Sequence, residues 1–239
     1  QEPQHRALYE AVFAQLGLGA GVRYCDIGCA SGVAAQMAAE RGAVVAGLDA
    51  AENLIEIARE RVPAGDFRFG EMEALPFDDG VFDVVTGFSA FSYAARPLVA
   101  LAEARRVARR DGRVVMQTWG QPDEEGVASL IEALTPLLPP RPEGRPWIYA
   151  LSDEPALRAF VESVGLKALH VETLFTTWTY PDHATALRAF ASSGRAVRAI
   201  ECTSEAAVND ANAAALAPYR RADGSYRVGA SFIWVVART

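Results

Sequence analysis

The residues best able to do chemistry lie in one short stretch, Tyr24-Cys25-Asp26-Ile27-Gly28-Cys29-Ala30-Ser31-Gly32. An apolar run ends in an acid, and two glycines follow. Glycine lets the backbone turn sharply and lets a ligand come close to it. A helix starting just past Gly32 would aim its unpaired backbone N–H groups at the same turn. Seventeen residues beyond Gly32 stands Asp49. An acid there can accept hydrogen bonds from both hydroxyls of a ribose. Together these residues describe a nucleoside site at the carboxyl ends of parallel strands.

The glycine spacing narrows the ligand. A turn that seats a pyrophosphate reads Gly-x-Gly-x-x-Gly. Here those positions are Gly28, Ala30 and Val33. An acid beside a pyrophosphate is repulsive, whereas an acid beside a cation is favourable. S-adenosylmethionine (SAM) carries an ammonium and a sulfonium and no phosphate, so the acidic turn suits SAM better than NAD. Cys25 and Cys29 read as two small thiols packed around the turn. No His or Cys follows them at metal-ligand spacing, so no metal is expected.

These residues need a frame. Apolar positions at helical spacing predict a helix over 4–17. Buried strands are expected at 22–27, 43–48, 66–70, 82–88 and 113–119, the fourth continuously apolar, as a strand covered on both faces is. Ser31 is placed to cap a helix running to about residue 41. Leu54, Ile57, Ala58 and Val62 stripe a second helix that Pro63 ends. A third spans 97–110, closed by Asp111-Gly112. Strands alternating with helices predict an α/β fold, a doubly wound, Rossmann-like and mostly parallel sheet. Beyond 120 come a helix with Val127, Leu130, Ile131 and Leu134, a Pro-rich loop, and a helix opened by Ser152-Asp153-Glu154-Pro155. A strand over 167–180 and an Ala-rich helical stretch over 182–218 follow. The last strand places Tyr226, Val228, Ala230, Phe232, Trp234 and Val236 on one face.

With this order of motifs the sequence resembles the class I SAM-dependent methyltransferases, in the small-molecule branch that includes ubiquinone/menaquinone-biosynthesis-like enzymes. The resemblance rests on Asp26-x-Gly28-x-x-x-Gly32, Gly47-Leu48-Asp49, Gly70-Glu71-Met72-Glu73-Ala74-Leu75-Pro76-Phe77, Phe82-Asp83-Val84-Val85-Thr86, and Glu103-x-x-Arg106-Val107 leading to Asp111-Gly112-Arg113-Val114-Val115. It covers 22–120 well and continues more weakly to the C-terminus. It implies a single domain over 1–239 built on a seven-stranded sheet with helices on both faces. Residues 22–120 would form the SAM-binding half, and 121–150 and 180–225 a helical cap on the substrate side.

The resemblance also implies roles. Asp26 and Gly28, in the turn with Cys29 and Gly32, would hold the methionine end. Asp49 would hold the ribose, and Ala50 would lie against the adenine. Glu71 would bond the adenine amino group, and the Met72 backbone N–H a ring nitrogen. Phe88 and the next residues would line the methyl-facing side. Two positions depart from the family: Ala30 stands where Gly is usual, a change expected to be tolerated if φ is negative there, and Glu71 stands where Asp is usual. The product would be S-adenosylhomocysteine (SAH).

Methyl transfer from a sulfonium mainly needs alignment and exclusion of water, and a base is optional. His183, at a helix start after the sixth strand, is the one candidate base. Phe91, Tyr93, Trp119, Trp147 and Trp178 are candidates for a pocket taking a hydrophobic or aromatic acceptor. The fourth strand ends Thr86-Gly87-Phe88-Ser89, unlike the Asn/Asp-Pro-Pro-Tyr element of enzymes that methylate base or protein amines. Basic residues number 23 against 30 acidic, for a net charge of −7. That balance argues against a nucleic-acid partner. The Arg105, Arg106, Arg109, Arg110 run is expected to be a solvated surface, and Cys202 a packing residue. No apolar run is long enough to suggest a membrane span. Residues 1–6 lack the pattern of a secretory leader, and the absent initiator Met suggests a trimmed chain. Three cysteines suit a reducing, cytoplasmic setting. The function expected is methyl transfer from SAM to a small acceptor. The alternatives are a SAM-binding regulatory protein without activity and a methyltransferase acting on a macromolecule.

Overall fold

The computed structural model describes residues 2–122, 126–140 and 149–239. Among the described residues, seven strands form one sheet: β1 (Arg23–Ile27), β2 (Val44–Asp49), β3 (Asp66–Phe69), β4 (Phe82–Phe88), β5 (Ala108–Trp119), β6 (Lys167–Tyr180) and β7 (Tyr226–Arg238). Their order is β3-β2-β1-β4-β5-β7-β6. The ladders joining β3, β2, β1, β4 and β5 are parallel, and β7 runs antiparallel to β5. The helices are α1 (Glu2–Leu16), α2 (Val33–Ala39), α3 (Glu52–Arg61), α4 (Pro97–Val107), α5 (Val127–Ala133), α6 (Glu154–Glu162), α7 (His183–Ala191), α8 (Gly194–Cys202) and α9 (Glu205–Leu216). This is the mostly parallel, doubly wound sheet the alternation of elements predicts.

The chain divides into two compact units. The first holds the described residues within 2–120, 146–174 and 232–239. On one face of its sheet, Ile27, Leu48, Val85, Met116 and Val235 pack with Leu101 and Ala104 of α4 and Leu157 and Val161 of α6. Burying each of the larger side chains contributes roughly 1.5–3 kcal/mol. On the other face lies α1. Its Phe13 ring meets Tyr24 edge-on at 5.6 Å and Phe88 at 6.2 Å, and Gln15 accepts from the Trp234 indole N–H at 2.8 Å. Helices therefore cover both faces.

Three local expectations change. The helix expected over 97–110 ends at Val107. Ala108 already pairs with Phe82, and the register then shifts so that Val84 faces Arg113. Asp111, at φ 60°, sits within that irregularity. The clean alternation expected in the last strand holds only at its start. From Ala230 to Ala237 β7 is buried at every position, because the sheet order makes it an inner strand. Ser31 does not cap α2: the cap position is Gly32, no side chain caps it, and the Ser31 hydroxyl instead accepts from Arg61 at 3.3 Å.

The second unit holds the described residues within 121–145 and 175–231. The Ala-rich stretch there resolves into α7, α8 and α9, each opened by a polar cap. The side chains of Asp182, Ser193 and Ser204 accept from the backbone N–H of Thr185, Ala196 and Ala207, satisfying donors that a helix start leaves unpaired. Leu134, Ala196, Ala199 and Val208 make its small core. Among the described residues no helix is long and apolar enough to cross a membrane.

Candidate functional site

The turn after β1 is held by the end of β2. The Leu48 carbonyl accepts from the backbone N–H of both Gly28 (2.8 Å) and Cys29 (3.0 Å). Gly28 has φ 71°, and a Cβ there would lie 2.7 Å from that of Ala90. Gly32 has φ 79°, and a Cβ there would lie 2.9 Å from that of Ala58 on α3. Both glycines thus meet a conformational and a packing demand that no other residue meets.

The negative φ under which Ala30 would be tolerated is not met: its φ is 46°. A residue with a Cβ is strained there by about 1–2 kcal/mol. The conformation is held because the Ala30 N–H donates to Asp49 Oδ2 at 2.8 Å. Asp49 Oδ1 accepts from the Ala51 N–H at 2.9 Å. Two backbone donors therefore fix the Asp49 carboxylate at the end of β2, and its remaining lone pairs are left for a ligand.

Beneath the turn, Asp26 is almost fully buried. Its register partner on β4 is Thr86, whose hydroxyl donates to Asp26 Oδ1 at 2.8 Å. Tyr24 OH must then donate to Thr86 Oγ1, 2.6 Å away. Burial pushes the Asp26 carboxyl up to about 7, the nearby Asp49 charge adds to the rise, and the hydrogen bonds from Thr86 and Tyr24 oppose it. Burial also raises the Cys25 and Cys29 thiols, with the Asp26 charge adding to it, so neither is poised as a thiolate.

A cavity of about 300 Å³ opens beside this turn. Of the residues predicted for the cofactor, Gly28, Asp49, Ala50, Glu71, Met72 and Phe88 line it, as does Tyr93 from the acceptor group. Asp26, Cys29 and Gly32 lie under or beside the turn and are not in its wall. Three acidic residues, Asp49, Glu71 and Glu73, line the cavity, and its described lining includes no Lys, Arg or His. Such a wall repels a pyrophosphate and favours a ligand rich in N–H, O–H or positive charge. Its chemistry fits SAM. A larger open groove, about 410 Å³, lies at the opposite, amino-terminal ends of β4 and β5 against Ala108, Arg110 and Thr239, away from these residues.

The loop that supplies Glu71, Met72 and Glu73 is clasped from behind. Arg106 on α4 reaches both oxygens of Glu103, Asp79, and the carbonyls of Leu75 and Phe77, all at 2.7–3.0 Å. Glu103 in turn accepts from the Leu75 N–H. The Arg106 hydrogen bonds hold the Glu103 carboxyl below the usual carboxylate range. Arg106 is therefore a structural clasp and not part of a solvated surface.

The remaining candidates fall elsewhere. Phe91 is fully buried, its ring within 2.3 Å of where a Cβ on Gly87 would lie. Trp119 at the end of β5 pairs with the Phe232 ring at 5.3 Å. Trp178 is buried against Phe190 in the second unit. Trp147 lies outside the described residues. His183 Nδ1 is 3.0 Å from Tyr226 OH, within the second unit, and is not in the wall of the cavity. Cys202, expected to be packed, is exposed.

Sequence reasoning missed Tyr24 and Thr86, Asp26's partners, although Thr86 is the one polar residue inside an apolar strand besides Asp83. Ser89 and Ala90, the residues next to Phe88, are on the cavity wall, and Ala94 and Ala95, which sequence reasoning missed, are there too. Their small size gave no signal.

Comparison with known proteins follows the same segment. Residues 25–116 match a family model described as a methyltransferase domain. A demethylmenaquinone methyltransferase of Renibacterium salmoninarum is 31% identical over 119 residues, 50% of this chain and 50% of that protein. A ubiquinone biosynthesis O-methyltransferase of Roseobacter denitrificans is 33% identical over 117 residues, 47% of each chain. The chain thus spans about half the length of these curated relatives. The crystal structure of a methyltransferase candidate from Bacillus halodurans superimposes with a TM-score of 0.66 at 14% identity, covering 96% of this chain and 97% of that one. At that identity the likeness is one of fold.

Proposed function

We propose that the chain is a class I SAM-dependent methyltransferase, a reading supported by the methyltransferase-domain match over residues 25–116, and that it transfers a methyl group from SAM to a small, hydrophobic or aromatic acceptor. The observation that carries the reading is the cavity wall: Asp49 fixed by two backbone donors, with Glu71 and Glu73 beside it and no cation. When bound, SAM supplies a methyl group already activated by its sulfonium. Asp49 holds the ribose hydroxyls, Glu71 the adenine amino group and the Met72 N–H a ring nitrogen, with Ala50 against the adenine. Asp26 and Gly28 serve the methionine end, and Cys29 and Gly32 shape the turn that presents them. Phe88 and Tyr93 line the side on which an acceptor is aligned and water excluded. A dedicated base is optional for this chemistry, depending on the acceptor's pKa, and the proton that a hydroxyl acceptor loses passes to water. The quinone methyltransferases among the relatives support an aromatic acceptor, and the acidic balance of the chain favours a small molecule over a nucleic acid.

The test is transfer from methyl-labelled SAM to a panel containing a hydroquinone, a catechol and an aromatic carboxylic acid. Label on one of these, with one SAH formed per methyl, is the expected result. Label passing only to protein or RNA would overturn the small-molecule reading, and failure to bind SAM would overturn the cofactor.

A further inference from the structure

Ser89, the first residue past β4, is in the cavity wall and has φ 51°. A non-glycine residue held in the left-handed region costs energy and recurs where function demands it. Two hydrogen bonds to one partner hold it there. The Ser89 N–H donates to the Gln117 carbonyl at 3.2 Å, and the Ser89 hydroxyl donates to Gln117 Oε1 at 3.1 Å. Gln117 is buried. Its Nε2 donates to the Thr118 carbonyl at 2.6 Å. That carbonyl can only accept, so the amide cannot be turned round, and Oε1 must face Ser89. The Ser89 proton is thereby committed to Gln117. What the hydroxyl offers the cavity is lone pairs only.

We propose that Ser89 is a specificity-determining residue of this cavity, an acceptor-only hydroxyl that takes a hydrogen bond from an N–H or O–H of the bound ligand and cannot give one. This rests on the reading of the cavity as a SAM and acceptor site. The sheet order places Ser89, at the end of β4, across β1 and β2 from Glu71, which follows β3. It therefore serves the end of the site away from Glu71. The donor there is either the ammonium of the cofactor or the protic group of the methyl acceptor, and both share one chemistry. Gln117 cannot take a proton, so Ser89 positions the donor and does not act as a base.

Ser89→Gly removes the hydroxyl at a backbone angle glycine adopts freely. Ser89→Asn returns an acceptor oxygen on a residue that tolerates the same angle. Calorimetry with SAH and with 5′-methylthioadenosine, which lacks the amino-acid end, is run on wild type and both variants, together with KM for whichever of the hydroquinone, catechol or aromatic acid is turned over. If the cofactor is the donor, Ser89→Gly weakens SAH about tenfold or more, leaves methylthioadenosine unchanged, and Ser89→Asn restores part of the loss. If the acceptor is the donor, both nucleosides bind as in wild type and KM rises about tenfold, again with partial rescue. Wild-type binding of SAH with neither quantity moved by Ser89→Gly overturns the proposal. Absence of SAH binding in the wild type overturns the SAM reading itself.

Discussion

At the scale of single residues, Asp49 and Ala30 are one device. The Ala30 N–H and the Ala51 N–H both end on the Asp49 carboxylate, so the acid is oriented before any ligand arrives. Asp49→Ala should weaken SAM binding about ten- to hundredfold by calorimetry, the worth of hydrogen bonds to a charged group. Unchanged affinity would remove Asp49 from the site. Ala30 carries strain that glycine would not. Set against the greater freedom glycine gives the unfolded chain, Ala30→Gly should stabilise the protein by about 0.5–1 kcal/mol in urea unfolding. A loss of stability would contradict the left-handed angle. Residue types told much here. Gly28, Asp49 and Glu71 were placed together by residue type and spacing and do meet in the cavity wall, and Asp26 is buried beside them. The sign of φ at Ala30 was not legible, since it comes from Gly28 and Cys29 being pinned to Leu48 across the sheet. The hydrogen bonds that hold Ser89 were equally silent, because they come from Gln117, a residue 28 positions away.

At the scale of elements, strands were read well and their neighbours less so. The run 82–88 became β4 unchanged because an unbroken apolar stretch between turn residues has few other uses. The end of α4 was misplaced because Arg105, Arg106, Ala108, Arg109 and Arg110 favour helix locally, while pairing of Ala108 with Phe82 overrides that preference. The same arginines looked like solvated charge, yet Arg106 spends its guanidinium on Glu103, Asp79 and two carbonyls. Cutting that clasp with Arg106→Met should cost roughly 2–3 kcal/mol, since it strips partners from half-buried groups. Because the clasped stretch follows directly on Glu71 to Glu73, SAM affinity should fall with it. Arg106→Lys should not restore either, lacking the planar fork. Full stability in Arg106→Met would show the contacts to be ornamental.

At the scale of the whole molecule, the doubly wound order was legible from alternation alone. The second unit is assembled from two separate stretches, within 121–145 and 175–231, close to the 121–150 and 180–225 that the family resemblance sets apart as a cap. Stability as a function of pH is also a property of the whole. The folded chain holds the Asp26 proton up to about pH 7, whereas an unfolded aspartate releases it near 3.8. Between those values the folded state binds more protons than the unfolded one, so from this group stability falls as pH rises from about 4 to about 7. Asp26→Asn, which mimics the protonated acid, should flatten that part of the profile. Urea midpoints at pH 5 and pH 8 that drop equally in both proteins would remove Asp26 as the cause.

The claim on which the rest depends is that an acid-walled cavity selects a cationic, phosphate-free nucleoside. Titration calorimetry of the purified chain with SAM and with NADH, under identical conditions, tests it most directly. The account predicts one SAM bound per chain and no heat of binding from NADH. Binding of NADH without binding of SAM would contradict it.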